Sequence, residues 1–258
     1  MIKKISIGIK TFCRPMVLEF CLSKFALEEK YGGIQIIIAD DSTDNYKKEN
    51  QEIIHKLEKV NDKVNLKYIN LPFDTGLSYG RNRIVESCNT EYILIIDDSR
   101  TIDKNTRIFD MVRFLEETNY DLIAGVISKG RSGVDTHYSG IFDEIHSKNN
   151  VVHIKIKKKN ELIKNNFFKN VYKTNIVLNV FVARVSALLK NKWYEELKVG
   201  EHEFFFYNFF KNNFKCAVTT EVNFLQSPDN IIAYPPHIFK FRERAHVLYE
   251  KYVKLHWN

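Results

Sequence analysis

Tyr92-Ile-Leu-Ile-Ile-Asp-Asp98 is an apolar run that ends in two carboxylates. A run of this kind, rich in β-branched residues and bounded by polar ones, is typical of a strand inside a parallel sheet that is covered on both faces. The pattern also occurs at residues 34–39, which are followed by Asp40 and Asp41. Because ligands of open α/β sheets bind beyond the carboxyl ends of the strands, the two acidic pairs predict one crevice with concentrated negative charge. Carboxylate oxygens are the ligands that a hard divalent cation prefers, so a nucleotide with such a cation suits this crevice.

Strand and helix patterns alternate along the first half of the chain. Strands are predicted at residues 5–9, 34–39, 64–69, 92–96 and 122–127, and helices from Pro15 and at residues 46–60, 75–88 and about 105–117. The proline suits a first helical turn, and the helix at 46–60 carries one apolar stripe on a polar surface. The alternation implies right-handed crossovers and an α/β fold with a mostly parallel sheet that is flanked by helices.

The second half of the chain has a different pattern. Residues 138–156 predict a hairpin or meander, residues 171–189 a strand and a short helix, residues 201–212 a helix, residues 214–224 a strand, and residues 239–256 a basic, aromatic terminal helix. The sequence contains no internal repeat and no low-complexity linker. We therefore expect one continuous α/β unit with an appended lobe and a soft boundary near residues 128–133.

The composition is ordinary for a globular protein, with 44% of the 258 residues hydrophobic and 28% charged. Lys and Arg number 39 against 32 Asp and Glu, which gives a net charge of +7. Seven of the lysines lie between residues 155 and 173. They form either a solvated face or a surface that attracts an anionic acceptor or membrane. No nucleic-acid-binding motif accompanies them, so we expect no nucleic-acid partner.

Cysteine usage and the N-terminus indicate a cytoplasmic protein. The four cysteines show no metal-ligand spacing, as is typical of reduced cysteines. No run approaches the roughly 20 apolar residues that span a bilayer, and the first residues enter a strand pattern rather than a signal peptide. Residues 239–257 have two interpretations: a helix that packs against the lobe, or a helix that lies on the inner face of a membrane near a lipid-linked acceptor.

Residues 71–83 run from a strand end into a helix and read Leu-Pro-Phe-Asp-Thr-Gly-Leu-Ser-Tyr-Gly-Arg-Asn-Arg. Gly76 and Gly80 allow the close approach of another backbone. A helix start offers free N–H groups and the positive end of a dipole, and Arg81 adds a fixed charge. The segment is therefore either a binding site for a nucleotide diphosphate or a capped crossover helix whose glycines only pack against the sheet.

Each acidic pair also has a purely structural alternative. Asp40 and Asp41 precede Ser42 and could form a turn, or Asp41 could bond to a base or ribose. Asp97 and Asp98 are harder to explain structurally, because adjacent like charges at the end of a buried strand repel unless a cation or several donors offset them. This electrostatic cost favours a functional role for the second pair.

Glu201-His202-Glu203 opens a helix directly after Gly200. Acidic residues in a first helical turn are favoured by the helix dipole, so they can act as a cap. The rest of the helix, residues 204–210, is strongly apolar and must be buried. A carboxylate at the mouth of such a helix is partly desolvated, which suits a general base. Base and cap both remain open on this pattern alone.

Taken in order, these segments resemble the inverting GT-A glycosyltransferases of the family 2 type, and in particular the branch of β-1,4-N-acetylgalactosaminyltransferases and their bacterial relatives. Any one motif is weak, whereas the ordered set, from about residue 5 to residue 226, is specific. The segments that carry the resemblance are Lys10-Thr-Phe-Cys-Arg-Pro15, Ile38-Ala-Asp-Asp-Ser42, Leu71-Pro-Phe-Asp-Thr-Gly-Leu-Ser-Tyr-Gly-Arg-Asn82, Tyr92-Ile-Leu-Ile-Ile-Asp-Asp98, Val177-Leu-Asn-Val-Phe-Val-Ala-Arg184 and residues 193–206.

The resemblance implies a GT-A fold and a transfer reaction. Residues 1–130 would form the nucleotide-sugar-binding half, and residues 131–258 the acceptor-binding half, of one continuous domain. The enzyme would move a sugar, an N-acetylhexosamine or a hexose, from a UDP-sugar to a hydroxyl of a glycan or lipid-linked acceptor, with inversion. Surface polysaccharide or glycolipid synthesis would be its setting.

The resemblance also implies roles for individual residues. Glu203 would deprotonate the acceptor hydroxyl, with Glu201 the less favoured candidate. The nucleotide would be bound by Thr11, Arg14, Asp41, Gly76, Arg81, Asp97 and Asp98. The acceptor side would be lined by Asn179, Arg184 and His202.

Two positions depart from the family pattern. Ser99 stands where the acidic motif usually continues with a third aspartate, and Gln226 stands where a histidine often occurs. Serine and glutamine are neutral oxygen donors, so a divalent cation, Mn²⁺ or Mg²⁺, would be held by Asp98 and Ser99 with less charge. These departures support the alternative of a non-catalytic nucleotide- or carbohydrate-binding module on the same fold. A sugar nucleotidyltransferase is a further alternative, although its usual glycine-rich loop is missing from residues 10–14.

Overall fold

The computed structural model contains a large central sheet with helices on both faces and a second, small sheet. It describes residues 1–61, 63–128, 135–136, 138–148, 151–158, 161–198, 200–238 and 252–257. Within these residues the large sheet has ten strands and the small sheet has three. This is the α/β class that the alternating strand and helix patterns predict.

The strands and helices of the first half lie where the sequence predicts them, with ends that differ by a few residues. The strands are β1 (Ile5–Thr11), β2 (Gln35–Asp40), β3 (Asn65–Asn70), β4 (Tyr92–Asp97), β5 (Arg100–Thr101), β6 (Leu122–Ser128), β7 (Asp135–Thr136), β8 (Ile141–Lys148), β9 (Val151–Lys157), β10 (Val171–Thr174), β11 (Val180–Arg184), β12 (Cys216–Gln226) and β13 (Val253–Trp257). The α-helices are α1 (Pro15–Leu27), α2 (Asp44–Val60), α3 (Gly76–Glu86), α4 (Ile108–Glu117), α5 (Val185–Lys190), α6 (His202–Lys211) and α7 (Asp229–Ile232).

The large sheet is mostly parallel around its centre. Its strands follow the order β10-β12-β6-β11-β4-β1-β2-β3, with β5 beside β12 and β7 beside β6. Strands β1 to β4 run in one direction. Strand β11 is antiparallel and lies between β4 and β6, whereas β12 is parallel to β6. The carboxyl ends of β1, β2 and β4 therefore lie side by side at one edge.

Alternating side chains divide the core between the two faces of this sheet. In β1, Ile5, Ile7 and Ile9 pack with residues of α1, α2 and α4. Gly8 faces α3 on the other side, where an added Cβ would lie 2.5 Å from Ile84 Cγ2. That second face also carries α5 and the buried phenylalanines of α6. Burial on both faces explains why the strands read as continuous apolar runs.

The small sheet confirms one prediction and corrects another. Strands β8 and β9 form the antiparallel hairpin that residues 138–156 predict. The end of the predicted terminal helix is instead a strand, β13, which pairs with β9 in parallel. Val253 is buried and Lys254 is exposed, and this period of two favours a strand over a helix. Residues 239–251 of the predicted helix and the boundary at residues 129–134 lie outside the described residues.

A membrane-spanning helix was not expected from the sequence. Among the helices that the structure describes, none is long and apolar enough to cross a bilayer.

Candidate functional site

The carboxyl ends of β1, β2 and β4 bring the two acidic pairs together. Thr11, the last residue of β1, pairs with Asp40 of β2. Lys10 of β1 pairs with Asp97 of β4 on the other side. The register of three parallel strands thus produces the shared edge that the sequence predicts. We call this edge the acidic rim, and it consists of Thr11, Asp40, Asp41, Asp97 and Asp98.

A cavity of about 130 Å³ opens at the acidic rim, with Thr11, Arg14, Leu77, Asp98 and Tyr234 in its walls. The Thr11 hydroxyl donates to Asp98 Oδ2 over 2.9 Å, and the Arg14 guanidinium pairs with the other oxygen of Asp98. The Arg14 Cζ atom lies 4.1 Å from the ring centroid of Tyr234. Asp98 is therefore enclosed, with both oxygens engaged, while Arg14 forms part of the open wall.

Asp41 is buried beside this cavity and does not line it. One of its oxygens pairs with Lys10 Nζ, and the other accepts the N–H of Gly76 over 2.7 Å. Lys10 lines the cavity, and the sequence analysis missed it. The available signal was a lysine inside an otherwise apolar strand, since buried lysines are almost always paired. Gly80 leaves the space that the lysine side chain fills, because a Cβ there would lie 2.2 Å from Lys10 Cδ.

The start of α3 is not an open anion site, which corrects the prediction for Gly76. The N–H of Gly76 is bound to Asp41, and the N–H of Leu77 donates to the carbonyl of Lys198 over 2.8 Å. A Cβ on Gly76 would lie only 2.5 Å from Lys198 Cα. This glycine serves the close approach of two backbone segments of the protein rather than the approach of a nucleotide.

Replacing Gly76 by Ala is expected to lower the free energy of unfolding by about 1–3 kcal/mol. Its φ of +91° disfavours an L side chain, and the added Cβ collides with backbone. Gly33→Ala is the matched control, because Gly33 has a φ of +84° but its nearest neighbour would lie 3.7 Å away. Urea unfolding should show a larger loss for Gly76→Ala, and equal losses would contradict the close packing against Lys198.

Arg81 connects the acidic rim to α6. Its Nη2 atom donates to Asp97 Oδ1 over 2.7 Å, and its Nη1 atom pairs with Glu201. Arg81 is 1% exposed and does not line the cavity. Its donors are directed at two carboxylates of the protein, which differs from the nucleotide contact that the resemblance implies.

The two glutamates of the predicted catalytic motif differ in availability. Glu201 precedes α6, is 3% exposed and is bound to Arg81. Glu203 lies in the first turn of α6, is half-buried and accepts a hydrogen bond from the Tyr138 hydroxyl over 3.1 Å. Within the described part of the chain no cation pairs with Glu203. The geometry therefore favours Glu203 over Glu201 as a general base, and Tyr138 is a contact that the sequence did not reveal.

Two of the three predicted acceptor residues lie together next to the rim. His202 Nδ1 is 3.0 Å from Asn179 Oδ1. Asn179 directly precedes β11, whose first residue pairs with Ile96 of β4. Burial lowers the pKa of His202 below its usual value.

Arg184 lies at the opposite edge of the sheet, so its predicted acceptor role is wrong. It pairs with Tyr92, the first residue of β4, whereas the acidic rim is at the other end of that strand. Its guanidinium donates to the carbonyls of Tyr120 and Thr118 over 3.1 and 3.3 Å. The physical reason is the antiparallel direction of β11, which carries residue 184 away from the edge where Asn179 lies.

The acidic rim fits a divalent cation only in part. Both oxygens of Asp98 are engaged, Ser99 offers one hydroxyl, and Gln226 pairs with Arg100 in the short ladder between β12 and β5. The side chain of Asp97 is 36% exposed, and its second oxygen accepts no hydrogen bond from the described residues. Across those residues there is no group of three or more His, Cys, Asp or Glu that could hold a metal ion. Asp97, rather than Asp98, is the carboxylate that a cation can reach.

A family model supports the motif order seen in the sequence. The model for "Glycosyl transferase family 2" matches residues 6–197. The match contains the acidic rim, Arg81 and Asn179, and it ends before Glu201 and Glu203. The two candidate bases therefore rest on the geometry and not on this match.

Sequence relatives cover about half of the chain. β-1,4 N-acetylgalactosaminyltransferase 2 of Mus musculus is 33% identical over 123 residues, which is 48% of this chain and 21% of the relative. β-1,4 N-acetylgalactosaminyltransferase 1 of Homo sapiens is 31% identical over 134 residues, which is 52% of this chain and 22% of the relative. The chain thus spans about a fifth of the length of these curated relatives.

Solved structures resemble nearly the whole chain in fold. TarS 1-349 of S. aureus in complex with UDP-GlcNAc has a TM-score of 0.59 and 20% identity, over 95% of this chain and 66% of that one. The mannosyltransferase PcManGT of Pyrobaculum calidifontis, in complex with GDP-Man and Mn²⁺, has a TM-score of 0.62 and 12% identity, over 95% and 62%. These neighbours are GT-A glycosyltransferases, so the predicted GT-A fold is confirmed.

Proposed function

Because this chain belongs to glycosyl transferase family 2, we propose that it is an inverting glycosyltransferase. It moves a sugar, an N-acetylhexosamine or a hexose, from a UDP-sugar to a hydroxyl of a glycan. One observation carries the proposal: Arg81 joins the acidic rim to the start of the helix that bears Glu203, so a nucleotide cavity and an available carboxylate share one edge of the sheet. The neighbour TarS was solved with UDP-GlcNAc, which supports a UDP-sugar donor.

The nucleotide part of the donor occupies the cavity at the acidic rim in this proposal. Lys10 and Arg14 are the two cations in the cavity wall. The planar guanidinium of Arg14 presents several donors that match phosphate oxygens. Because the leaving diphosphate gains negative charge as its bond to the sugar breaks, a fixed cation here acts where that charge develops.

Glu203 is the general base of the proposed reaction. It takes the proton of the acceptor hydroxyl while that oxygen attacks the anomeric carbon of the donor sugar. The bond between the anomeric carbon and the diphosphate breaks, and UDP leaves from the opposite face. This single displacement inverts the configuration at the anomeric carbon.

A divalent cation, Mn²⁺ or Mg²⁺, fits the proposal at Asp97. The charged side chains around the rim leave one net negative charge before a diphosphate is added. They comprise three cations and four carboxylates: Lys10, Arg14, Arg81, Asp41, Asp97, Asp98 and Glu201. Mg²⁺ often binds through one or two carboxylates together with substrate phosphates. When bound, the ion would supply charge stabilisation of the leaving diphosphate.

Replacing Asp97 by Asn is expected to remove most of the effect of Mn²⁺ on UDP binding. Asn keeps the size and an acceptor for Arg81 but lacks the charge that a cation needs. With Mn²⁺ the affinity for UDP should fall at least about tenfold, or about 1.4 kcal/mol, and without Mn²⁺ it should be equal to or tighter than that of the original protein. Calorimetric titration measures both.

Asp110→Asn is the control for this experiment, because Asp110 lies on α4 and pairs with Arg107 and Arg113 away from the rim. It should behave as the original protein under both conditions. A gain from Mn²⁺ that survives in Asp97→Asn would contradict the placement of the cation at Asp97.

A screen of nucleotide sugars tests the proposed activity. UDP release is followed with UDP-GlcNAc, UDP-GalNAc, UDP-glucose and UDP-galactose in the presence of Mn²⁺. We expect slow hydrolysis of at least one α-linked donor, with the β-anomer of the sugar appearing first by NMR. UDP binding without turnover of any donor would favour the non-catalytic binding module, which Ser99 and Gln226 support. Formation of a UDP-sugar from UTP and a sugar phosphate would favour the nucleotidyltransferase.

The halves of the chain and the cellular setting belong to the same proposal. Residues 1–130 supply most of the nucleotide site and residues 131–258 supply Glu203 and the acceptor side, with Tyr234 as an exception in the nucleotide cavity. All four cysteines are free and buried, which supports a reducing compartment such as the cytoplasm. The proposed acceptor is a glycan or a lipid-linked glycan in polysaccharide or glycolipid synthesis, reached at the inner face of a membrane.

A further inference from the structure

His202 and Asn179 form a hydrogen-bonded pair directly beside the proposed base. His202 is the first residue of α6, and Asn179 immediately precedes β11. The distance from His202 Nδ1 to Asn179 Oδ1 is 3.0 Å. Because an amide oxygen only accepts hydrogen bonds, this contact requires a proton on Nδ1 of the histidine.

The imidazole of His202 is held in its neutral form. Burial lowers the pKa of His202 and Arg81 acts in the same direction, whereas Glu203, Glu201 and Asp97 oppose the shift. A neutral imidazole carries one proton, and Asn179 places that proton on Nδ1. The other nitrogen, Nε2, is therefore unprotonated and presents a lone pair.

The Nε2 atom of His202 is buried and has no hydrogen-bond partner among the described residues. Buried polar atoms in native proteins are nearly always paired, so an exception calls for a partner that comes from outside the protein. An unprotonated nitrogen accepts and does not donate. A ligand that satisfies Nε2 must therefore bring an O–H or N–H group.

The surroundings of His202 suit a sugar. Its ring packs against Tyr138 and Phe206, with centroid distances of 5.4 and 5.0 Å. The Tyr138 hydroxyl also bonds to Glu203, the next residue after His202. A hydrogen-bond acceptor, a carboxylate base and aromatic walls thus belong to one small site, and hydroxyl groups on an apolar ring are the ligand that matches all three.

We propose that His202 is a specificity-determining residue for the acceptor, and that its Nε2 atom accepts a hydrogen bond from a sugar hydroxyl next to the one that Glu203 deprotonates. This inference rests on the proposed function. Asn179 is a positioning residue, since it acts through the tautomer of His202. An acceptor that lacks this hydroxyl should be strongly rejected, because it leaves Nε2 buried and unpaired.

The tautomer can be tested without any turnover. Long-range ¹H–¹⁵N NMR of the full chain, labelled at histidine and saturated with UDP, reports the protonation of each ring nitrogen. At pH 7 we expect a proton on Nδ1 of His202 and none on Nε2. Asn179→Leu should weaken this preference while the affinity for UDP stays within about twofold. A proton on Nε2, or a doubly protonated ring, in the original protein would overturn the inference even if the enzyme proves to be a glycosyltransferase.

Hydrolysis of UDP-GlcNAc gives the second readout, because water then takes the place of the acceptor hydroxyl. His202→Phe keeps an aromatic ring and removes Nε2, and it should lower the hydrolysis rate at least about tenfold with unchanged UDP affinity. His202→Gln retains an amide oxygen that can accept, so it should keep more of the rate, and it replaces the Phe variant if that chain does not fold. An unchanged rate in both variants would overturn the inference.

The pH profile separates a chemical role of His202 from a structural one. Asn179→Asp places a carboxylate against Nδ1, which raises the pKa of His202, so the acid limb of the hydrolysis profile should move to higher pH. The same change made in the His202→Phe chain should not move the limb. A limb that moves in both chains, or in neither, would contradict the role of Nε2. Failure of the original protein to bind UDP would instead refute the proposed function, and the NMR result would still decide the tautomer.

Discussion

Replacing Glu203 by Gln is expected to lower turnover by about 10²- to 10⁴-fold, the contribution typical of a general base. Gln has nearly the same size and still accepts a hydrogen bond from Tyr138, but it cannot take a proton from the acceptor. The affinity for UDP should stay within about twofold, because Glu203 does not line the nucleotide cavity. Release of UDP from a donor sugar measures the first quantity, and calorimetry measures the second.

Two other glutamates serve as controls for this change. Glu196→Gln alters a carboxylate that contacts the Tyr252 hydroxyl away from the rim, and it should keep the original rate. Glu201→Gln should act mainly on stability, because it weakens a buried ion pair with Arg81. A near-normal rate in Glu203→Gln, or a larger loss of turnover in a fully folded Glu201→Gln, would show that the base is assigned to the wrong residue.

Replacing Arg81 by Met is expected to lower the free energy of unfolding by about 3–5 kcal/mol. The change leaves Glu201 buried without its cation and removes the contact to Asp97. Desolvated carboxylates without partners are costly, whereas the Met side chain recovers only the apolar packing of the arginine stem. Urea unfolding of the variant beside the original protein measures the difference.

Arg83→Met is the matched control on the same helix. Its side chain is 33% exposed and pairs with Glu86 and Glu195 at the surface, so the loss should stay within about 0.5 kcal/mol. The double variant Arg81→Met with Glu201→Leu should recover part of the stability, because both members of the buried pair are then removed. A loss below about 1 kcal/mol in Arg81→Met would contradict the role of this arginine as the connection between the rim and α6.

The positions of the acidic pairs could be predicted because they follow from local pattern and from one topological rule. Apolar runs that end in Asp40 and Asp97 identify the strands, and alternation with helices makes those strands parallel. Parallel strands place their carboxyl ends at one edge, so the convergence of the pairs needs no knowledge of side-chain contacts. The location of Glu203 at the mouth of an apolar helix followed in the same way.

The partners inside the rim could not be predicted, because they depend on contacts between residues far apart in the chain. Lys10 reaches Asp41, and Lys198 closes over the start of α3, so the N–H groups of Gly76 and Leu77 are not free. Composition could not show which of several cations would pair with which carboxylate. The apparent phosphate site at the start of α3 was a misreading of a tight protein–protein backbone contact.

Two further errors arose from strand direction and from a short pattern. Arg184 and Asn179 are five residues apart, but an extended, antiparallel β11 carries them to opposite edges of the sheet. The terminal segment contains basic and aromatic residues that suit a helix, while the alternation of Val253 and Lys254 favours the strand that pairs with β9. The pairing partner, which is distant in sequence, decides such short segments.

Calorimetric titration with UDP of a protein whose cavity is filled tests the account most directly. Leu77 lines the cavity at the acidic rim, and Leu77→Trp adds bulk there, whereas Leu27→Trp makes the same change at a residue that is 75% exposed at the end of α1. The account predicts saturable binding of one UDP per chain to the original protein and to Leu27→Trp, and a loss of at least about tenfold in affinity for Leu77→Trp. Equal binding by all three proteins, or no binding by the original protein, would contradict a nucleotide site at the acidic rim.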